Sequence, residues 1–319
     1  MSTVVIDPAT TAFLEMVRAT GGKPFNELSV EEVRAMVTAS SQQLAPPREE
    51  LHEVRDQRIP VDGGEITLRI YTPRALTSGE TLPLLLYFHG GGFVAGDIDT
   101  HDPIARYLSK HADAIAVSVD YRRSPEYRYP TQINDAYAAL AWVAEHASEL
   151  RGDAGRIAVA GDSAGGTLTA VMTQLAAERG GPRIAFQAMI YPWLDLRPGT
   201  SSPSRLQFGG GEYFLGNPDL EYMLTLYLPD GSSSTDSRVS PLLYDDFAGM
   251  PPAVIMNAGC DPLCDDGKTY ADRLAAAGVP VEYRCFDSTI HACVSFAGII
   301  PTGLEALSFI ASRIRTALH

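Results

Sequence analysis

The chain has 319 residues, 45% of them hydrophobic and 20% charged, a balance that suits a soluble globular protein and excludes a fibre or a disordered chain. With 25 basic against 39 acidic residues the formal charge is −14, so the mean surface field repels phosphate backbones and anionic head groups, and nucleic acid is excluded as a partner. At this length one large α/β unit with a small accessory layer is expected.

The opening stretch, MSTVVIDPATTAFLEM, lacks both the basic region and the continuous apolar run of a secretory signal, and no apolar run reaches the roughly 20 residues that span a bilayer. A cytoplasmic protein without membrane anchoring is expected. Two helices are predicted next. PATTAFLEMVRAT stops at Gly21-Gly22, and SVEEVRAMVTASSQQ opens with Ser29 and Glu32 at capping-box spacing. Phe13, Leu14, Met16 and Val17 form a candidate docking face.

From about residue 53 the pattern alternates, and EVRDQRIPV and EITLRIYTP read as a hairpin turning at Asp62-Gly63-Gly64. Short apolar runs then alternate with helical stretches: LPLLLYFH, AIAVSVDY, RIAVAGD, IAFQAMIYP, PAVIMNAG and VEYRCF. Such a rhythm predicts a mostly parallel sheet covered by helices on both faces, with its site at the edge shared by the strand C-termini. One connection is much longer. About fifty residues separate IYPWLDL from PAVIMNAG, with Phe208, Tyr213, Phe214, Tyr222 and Tyr227 among them, and a connection of that length suits a lid packed with the N-terminal helices.

The strongest local signal is RIAVAGDSAGGTLTAVMTQLAA, an apolar strand, then Gly161-Asp162-Ser163-Ala164-Gly165, then a helix. A serine in so tight a turn is forced into a strained conformation that lifts its Oγ above the sheet edge, and the helix N-terminus favours developing negative charge there. Ser163 is therefore the candidate nucleophile. A phosphate cradle would want a Lys-Ser/Thr pair after the glycines, which is absent. Upstream, His89-Gly90-Gly91-Gly92-Phe93 follows a buried strand, and consecutive glycines can turn their N–H groups into a cavity as oxyanion donors. His89 precedes the serine and reads as a residue that holds this loop.

Of the seven histidines only His291 and His319 follow Ser163, and His319 is the chain end, which leaves His291 as base. Asp261 follows PAVIMNAG at the shared edge and is the candidate acid; Asp287 after VEYRCF is its rival, while Asp265 and Asp266 fall a turn later and read as solvated or capping. The four cysteines, Cys260, Cys264, Cys285 and Cys293, lack the paired spacing of a zinc module, so free, mostly buried thiols and no metal are expected.

These motifs together resemble the hormone-sensitive-lipase-like (bacterial family IV) carboxylesterases of the α/β-hydrolase fold. HGGGF, VDYRRSPEYRYP, NDAYAALAWV, GDSAGG, SPLLYDDFAGMPPAVIMNAGCDPLCDDG and FDSTIHA stand in the family's order across most of residues 55 to 315. The resemblance implies an α/β fold with a mostly parallel sheet, flanking helices and a small helical cap. It assigns residues 1–50 and 197–243 to the cap, and 51–196 and 244–319 to the catalytic core. It also implies Ser163 as nucleophile, Asp261 as acid, His291 as base, and the amides of Gly91, Gly92 and Ala164 as the oxyanion hole. No cofactor is implied. The expected substrates are short- to medium-chain carboxylic esters, with the cap aromatics and Trp193 along the pocket. An amidase or lactonase would use the same residues, and a non-catalytic receptor on this fold would lack the histidine that this chain keeps. An exposed last strand, VEYRCF, suits a homodimer. Three positions depart from the family pattern: Arg123-Ser124 before Pro125, Thr167 where Asn is usual, and Ala292-Cys293 where Gly-Phe commonly follows the histidine.

Overall fold

The computed structural model describes residues 5–319; the first four residues, part of the stretch read against a secretory signal, lie outside it. The strands are β1 (Glu53–Val61), β2 (Gly64–Thr72), β3 (Leu82–Phe88), β4 (Ile115–Asp120), β5 (Gly152–Asp162), β6 (Ile184–Ile190), β7 (Ala253–Cys260) and β8 (Val281–Ile290). They form one sheet in the order β1-β2-β4-β3-β5-β6-β7-β8. The β1–β2 and β2–β4 pairs are antiparallel and the other pairs parallel. The predicted hairpin turns at Asp62 and Gly63, with Gly63 at φ 74° as a tight two-residue loop requires. Every residue of β3 is buried, the mark of a strand covered on both faces. β8 runs four residues further than VEYRCF, to Ile290.

The helices are α1 (Pro8–Ala19), α2 (Val30–Leu44), α3 (Asp102–Ala112), α4 (Thr131–Glu145), α5 (Ala164–Arg179), α6 (Pro203–Phe208), α7 (Asn217–Tyr227), α8 (Cys264–Ala276) and α9 (Pro301–Leu318). Because side chains alternate along a strand, β5 feeds two cores. Ile157 and Val159 join Leu140 of α4 and Leu168 and Val171 of α5. Ala158 and Ala160 join Leu108 of α3 and Leu307 and Ile310 of α9 on the other face. Truncating one such leucine to alanine costs about 2–5 kcal/mol.

The N-terminal helices start where the sequence places them. Asp7 Oδ1 accepts from the Thr10 amide at 2.8 Å, and Ser29 and Glu32 form a reciprocal capping box. The docking face of α1 is narrower than expected. Phe13 and Leu14 are buried and Val17 half-buried, but Met16 is 44% exposed, because helical geometry turns it away from the stripe centred between Phe13 and Leu14.

The N-terminal segment meets the long β6–β7 connection directly. Tyr222 donates to the Leu28 carbonyl at 2.9 Å, the Asn26 amide donates to Asp219 at 3.1 Å, and Phe25 packs edge-on against Phe214 at 5.6 Å. Together they form a helical layer above the C-terminal ends of the parallel strands, where Ser163 emerges. Among the described residues no helix is long and apolar enough to cross a membrane.

Candidate active site

β5 ends at Asp162, and Ser163 follows at φ 53°, ψ −116°, a conformation that costs a non-glycine residue about 1–3 kcal/mol. The turn closes so tightly that a Cβ on Gly165 would stand 1.9 Å from the Phe88 carbonyl oxygen. Glycine is therefore required there, and α5 starts directly behind the serine.

Asp261 follows the last residue of β7 and is fully buried. Its Oδ1 accepts from the Leu263 amide at 2.8 Å, and its Oδ2 accepts from His291 Nδ1 at 2.7 Å. The other ring nitrogen, His291 Nε2, lies 2.9 Å from Ser163 Oγ. With Nδ1–H committed to the carboxylate, Nε2 is left as an acceptor toward the serine hydroxyl. Tyr191 packs against the imidazole with ring centres 4.7 Å apart, and His291 is 5% exposed.

The rivals lie elsewhere. Asp287 is an exposed residue of β8, and His319 Nε2 reaches the Asp113 carbonyl at the chain end. Asp265 caps α6 by accepting from the Ser204 amide at 2.7 Å. Asp266 corrects the reading of a solvated carboxylate: it is 2% exposed and accepts from the Leu194 and Asp195 amides, both at 3.0 Å, with Arg205 Nη2 3.6 Å away. Burial pushes its carboxyl up to about 6.

Gly91 stands at φ 109°, and a Cβ there would meet the Ala95 carbonyl oxygen at 2.2 Å, so only glycine lets the loop fold back on itself. Gly91 and Gly92 line one cavity with Ser163 and His291, while Ala164 begins α5. His89 is buried, stacks on Tyr121 at 4.2 Å between ring centres, and donates from Nδ1 to the Gly90 carbonyl at 2.8 Å. Burial, followed by the neighbouring His101, lowers its pKa to about 3, which keeps the ring neutral.

The cavity has a volume of about 140 Å³. Its walls come from Val33 and Met36 of the N-terminal layer, Phe214 and Leu220 of the β6–β7 connection, and Trp193 and Phe296 of the sheet side. Of the aromatics expected along it, Trp193 and Phe214 are present. Tyr227 instead stacks on Phe93 at 4.0 Å, Phe208 packs edge-on against Tyr213, and Tyr222 anchors the loop at Leu28.

A family model described as the alpha/beta hydrolase fold matches residues 85–295. Esterase LipI of Mycobacterium tuberculosis is 40% identical over 98% of this chain and 96% of its own length. Carboxylesterase NlhH of the same species is 42% identical over 91% of this chain and 90% of its own. Among solved structures, an esterase from Pyrobaculum calidifontis superposes with a TM-score of 0.90 at 37% identity, covering 98% of this chain and all of that one. The chain belongs to the α/β-hydrolase family. Within it, the chain is a member of the hormone-sensitive-lipase-like branch that its motifs resemble.

In this hydrolase the departures from the family pattern acquire contacts. The Thr167 hydroxyl donates to the Trp193 carbonyl, tying the first turn of α5 to the loop after β6. Ala292 sits at φ 62° beside His291 on the cavity wall, where a left-handed backbone normally favours glycine, and Cys293 is buried behind it. One group was missed from the sequence. Asp162, immediately before the serine, accepts at Oδ1 from the Gly90 amide (2.9 Å) and the Tyr87 hydroxyl (2.6 Å), and Oδ2 stands 3.6 Å from His101 Nε2. Burial works against its charge, yet the His101 ring and the Tyr87 hydroxyl hold the carboxyl below its ordinary value. Nothing in GDSAGG itself says that its aspartate reaches back to the glycine loop.

Proposed function

We propose that this carboxylic ester hydrolase works through an acyl-enzyme on Ser163, with His291 as general base and acid and Asp261 as the residue that orients the imidazole. The unbroken line from Asp261 Oδ2 through His291 to Ser163 Oγ, at 2.7 and 2.9 Å, carries this reading. Oγ attacks the ester carbonyl while Nε2 takes its proton; Asp261 stabilises the imidazolium that forms; the amides of Gly91, Gly92 and Ala164 hold the oxyanion. His291 then protonates the leaving alcohol and activates the water that releases the acid.

Residues 1–50 and 197–243, whose described part forms the helical layer, act as the cap of a core formed by 51–196 and 244–319. It supplies apolar side chains such as Val33, Phe214 and Leu220 to a small cavity, which supports esters with short to medium acyl chains.

Ser163→Ala tests the nucleophile: a folded protein whose hydrolysis of p-nitrophenyl butyrate falls by about 10⁴ or more is expected. Turnover persisting at more than a few per cent sinks the assignment. An acyl series from acetate to laurate tests the cavity, with the highest kcat/KM expected between acetate and hexanoate and a laurate optimum overturning it. Anilides and lactones in the same panel separate esterase from amidase and lactonase chemistry.

A further inference from the structure

We propose that Cys264 and Cys285 form a dithiol that hydroperoxides convert to a disulfide, a modification site separate from the Ser163 cavity. Cys264 opens α8 and Cys285 lies on β8, and their Sγ atoms are 3.8 Å apart. Packing holds them there. Cys285 lies opposite Asn257 of β7 in the sheet register, and Asn257 Nδ2 donates to the Cys264 carbonyl. Gly267, almost one turn along α8, approaches Asn257 so closely that a Cβ would stand 2.3 Å from its Oδ1. The first turn of α8 is thus pressed onto the strand pair that carries Cys285. Reaching a disulfide S–S distance of about 2.05 Å takes less than about 2 Å of movement.

The four thiols divide by environment. Cys260 and Cys293 are buried, and burial pushes their thiols up to about 11 and about 12, which leaves them as inert packing. Cys264 and Cys285 are only half-buried, which makes them the more open of the four to a small oxidant. The hydrogen bond from Cys285, with a further one from Tyr283, holds Cys264 below the ordinary thiol range against burial and the charges of Asp261 and Asp265. The helix N-terminus favours the same thiolate. Cys285 is pushed the other way by its hydrogen bond to Cys264, by burial and by Asp287. Its place at the N-terminus of α8 assigns Cys264 as the attacking sulfur and Cys285 as the resolving one.

In the first step the Cys264 thiolate attacks the terminal oxygen of a hydroperoxide. An S–O bond forms, the O–O bond breaks, and the alkoxide leaves as alcohol with a solvent proton, giving a sulfenic acid. Cys285 sulfur then attacks the Cys264 sulfur; the S–S bond forms, the S–O bond breaks, and hydroxide leaves as water with the Cys285 proton. Two thiols are oxidised by two electrons and one peroxide is reduced.

The test uses the full chain, reduced and then freed of reductant, with hydrogen peroxide at neutral pH. The expected product is a monomer lighter by two hydrogens, whose digest contains one linked peptide pair joining Cys264 to Cys285. Its melting midpoint should rise by roughly 5 °C, because the link closes a loop within one packed unit. Cys285→Ser should accumulate a Cys264 sulfenic acid that dimedone traps, whereas Cys264→Ser should leave Cys285 unlabelled; retained p-nitrophenyl butyrate hydrolysis shows that both variants are folded. A link through Cys260 or Cys293, a cross-linked dimer, dimedone labelling of Cys285 in Cys264→Ser, a fall in the melting midpoint, or unchanged mass in the wild type would each overturn the proposal.

Discussion

Asp162 receives hydrogen bonds from residues 72 and 75 positions upstream, and through Gly90 it fixes the loop that brings Gly91 and Gly92 to the cavity. Asp162→Ala would leave the Gly90 amide and Tyr87 hydroxyl buried without an acceptor, at about 1–3 kcal/mol in stability. The loosened loop should also lower kcat for p-nitrophenyl butyrate about tenfold or more, since it carries two of the proposed oxyanion donors and small misplacements of such donors are expensive. A stability loss with kcat unchanged would make Asp162 a structural residue alone. The contrast with Ser163 explains what sequence makes legible at this scale. A glycine-flanked serine between strand and helix is a local problem with a local solution, and its positive φ follows from neighbours in the chain. The partners of Asp162 and Asp266 arrive from distant segments, so a lone aspartate in the sequence does not announce them.

Among elements, α8 shows how a buried carboxylate couples structure to pH. Asp266 in its first turn holds the Leu194 and Asp195 amides, which joins α8 to the loop after β6. Its pKa of about 6 in the fold exceeds the ordinary 3.8, so the folded chain binds the proton more tightly than the unfolded chain. The resulting stability is full below about pH 4 and is lost as pH rises toward 6, with a ceiling of about 3 kcal/mol. Asp266→Asn should abolish this contribution. The difference in melting midpoint between wild type and variant should therefore change between pH 4 and 6 and stay flat from pH 7 to 8; a difference constant from pH 4 to 8 would contradict the coupling. The elements themselves were readable from patterns: the capping box at Ser29 and Glu32, the hairpin at Asp62-Gly63 and the buried runs all appear in place. The far end of β8 was not, because Asp287, Ser288 and Thr289 are polar and fall in an irregularity of the register between the Ala258–Phe286 and Cys260–Ile290 pairs, which a local pattern does not reveal.

At the scale of the molecule, β8 ends the sheet; Ser288 near its end accepts from the Asp7 amide at 2.9 Å, and the edge before it is the proposed contact of a homodimer. Glu282 and Arg284 are exposed along it, and such charges weaken edge pairing, so a dimer here should be concentration-dependent. Light scattering that reports a monomer throughout the micromolar range removes the contact. The parallel order also has a temporal side. Ser163 leaves β5 in the middle of the chain, whereas His291 follows β8, the last strand in chain order among the described residues and an edge strand in space. Under the proposed mechanism, a nascent chain that ends before His291 holds the serine turn without its base and should not hydrolyse esters. In refolding experiments the return of hydrolysis should then coincide with docking of β8 and lag behind burial of the central strands. An esterase assay on this chain would thus time the arrival of β8 at the edge of the sheet.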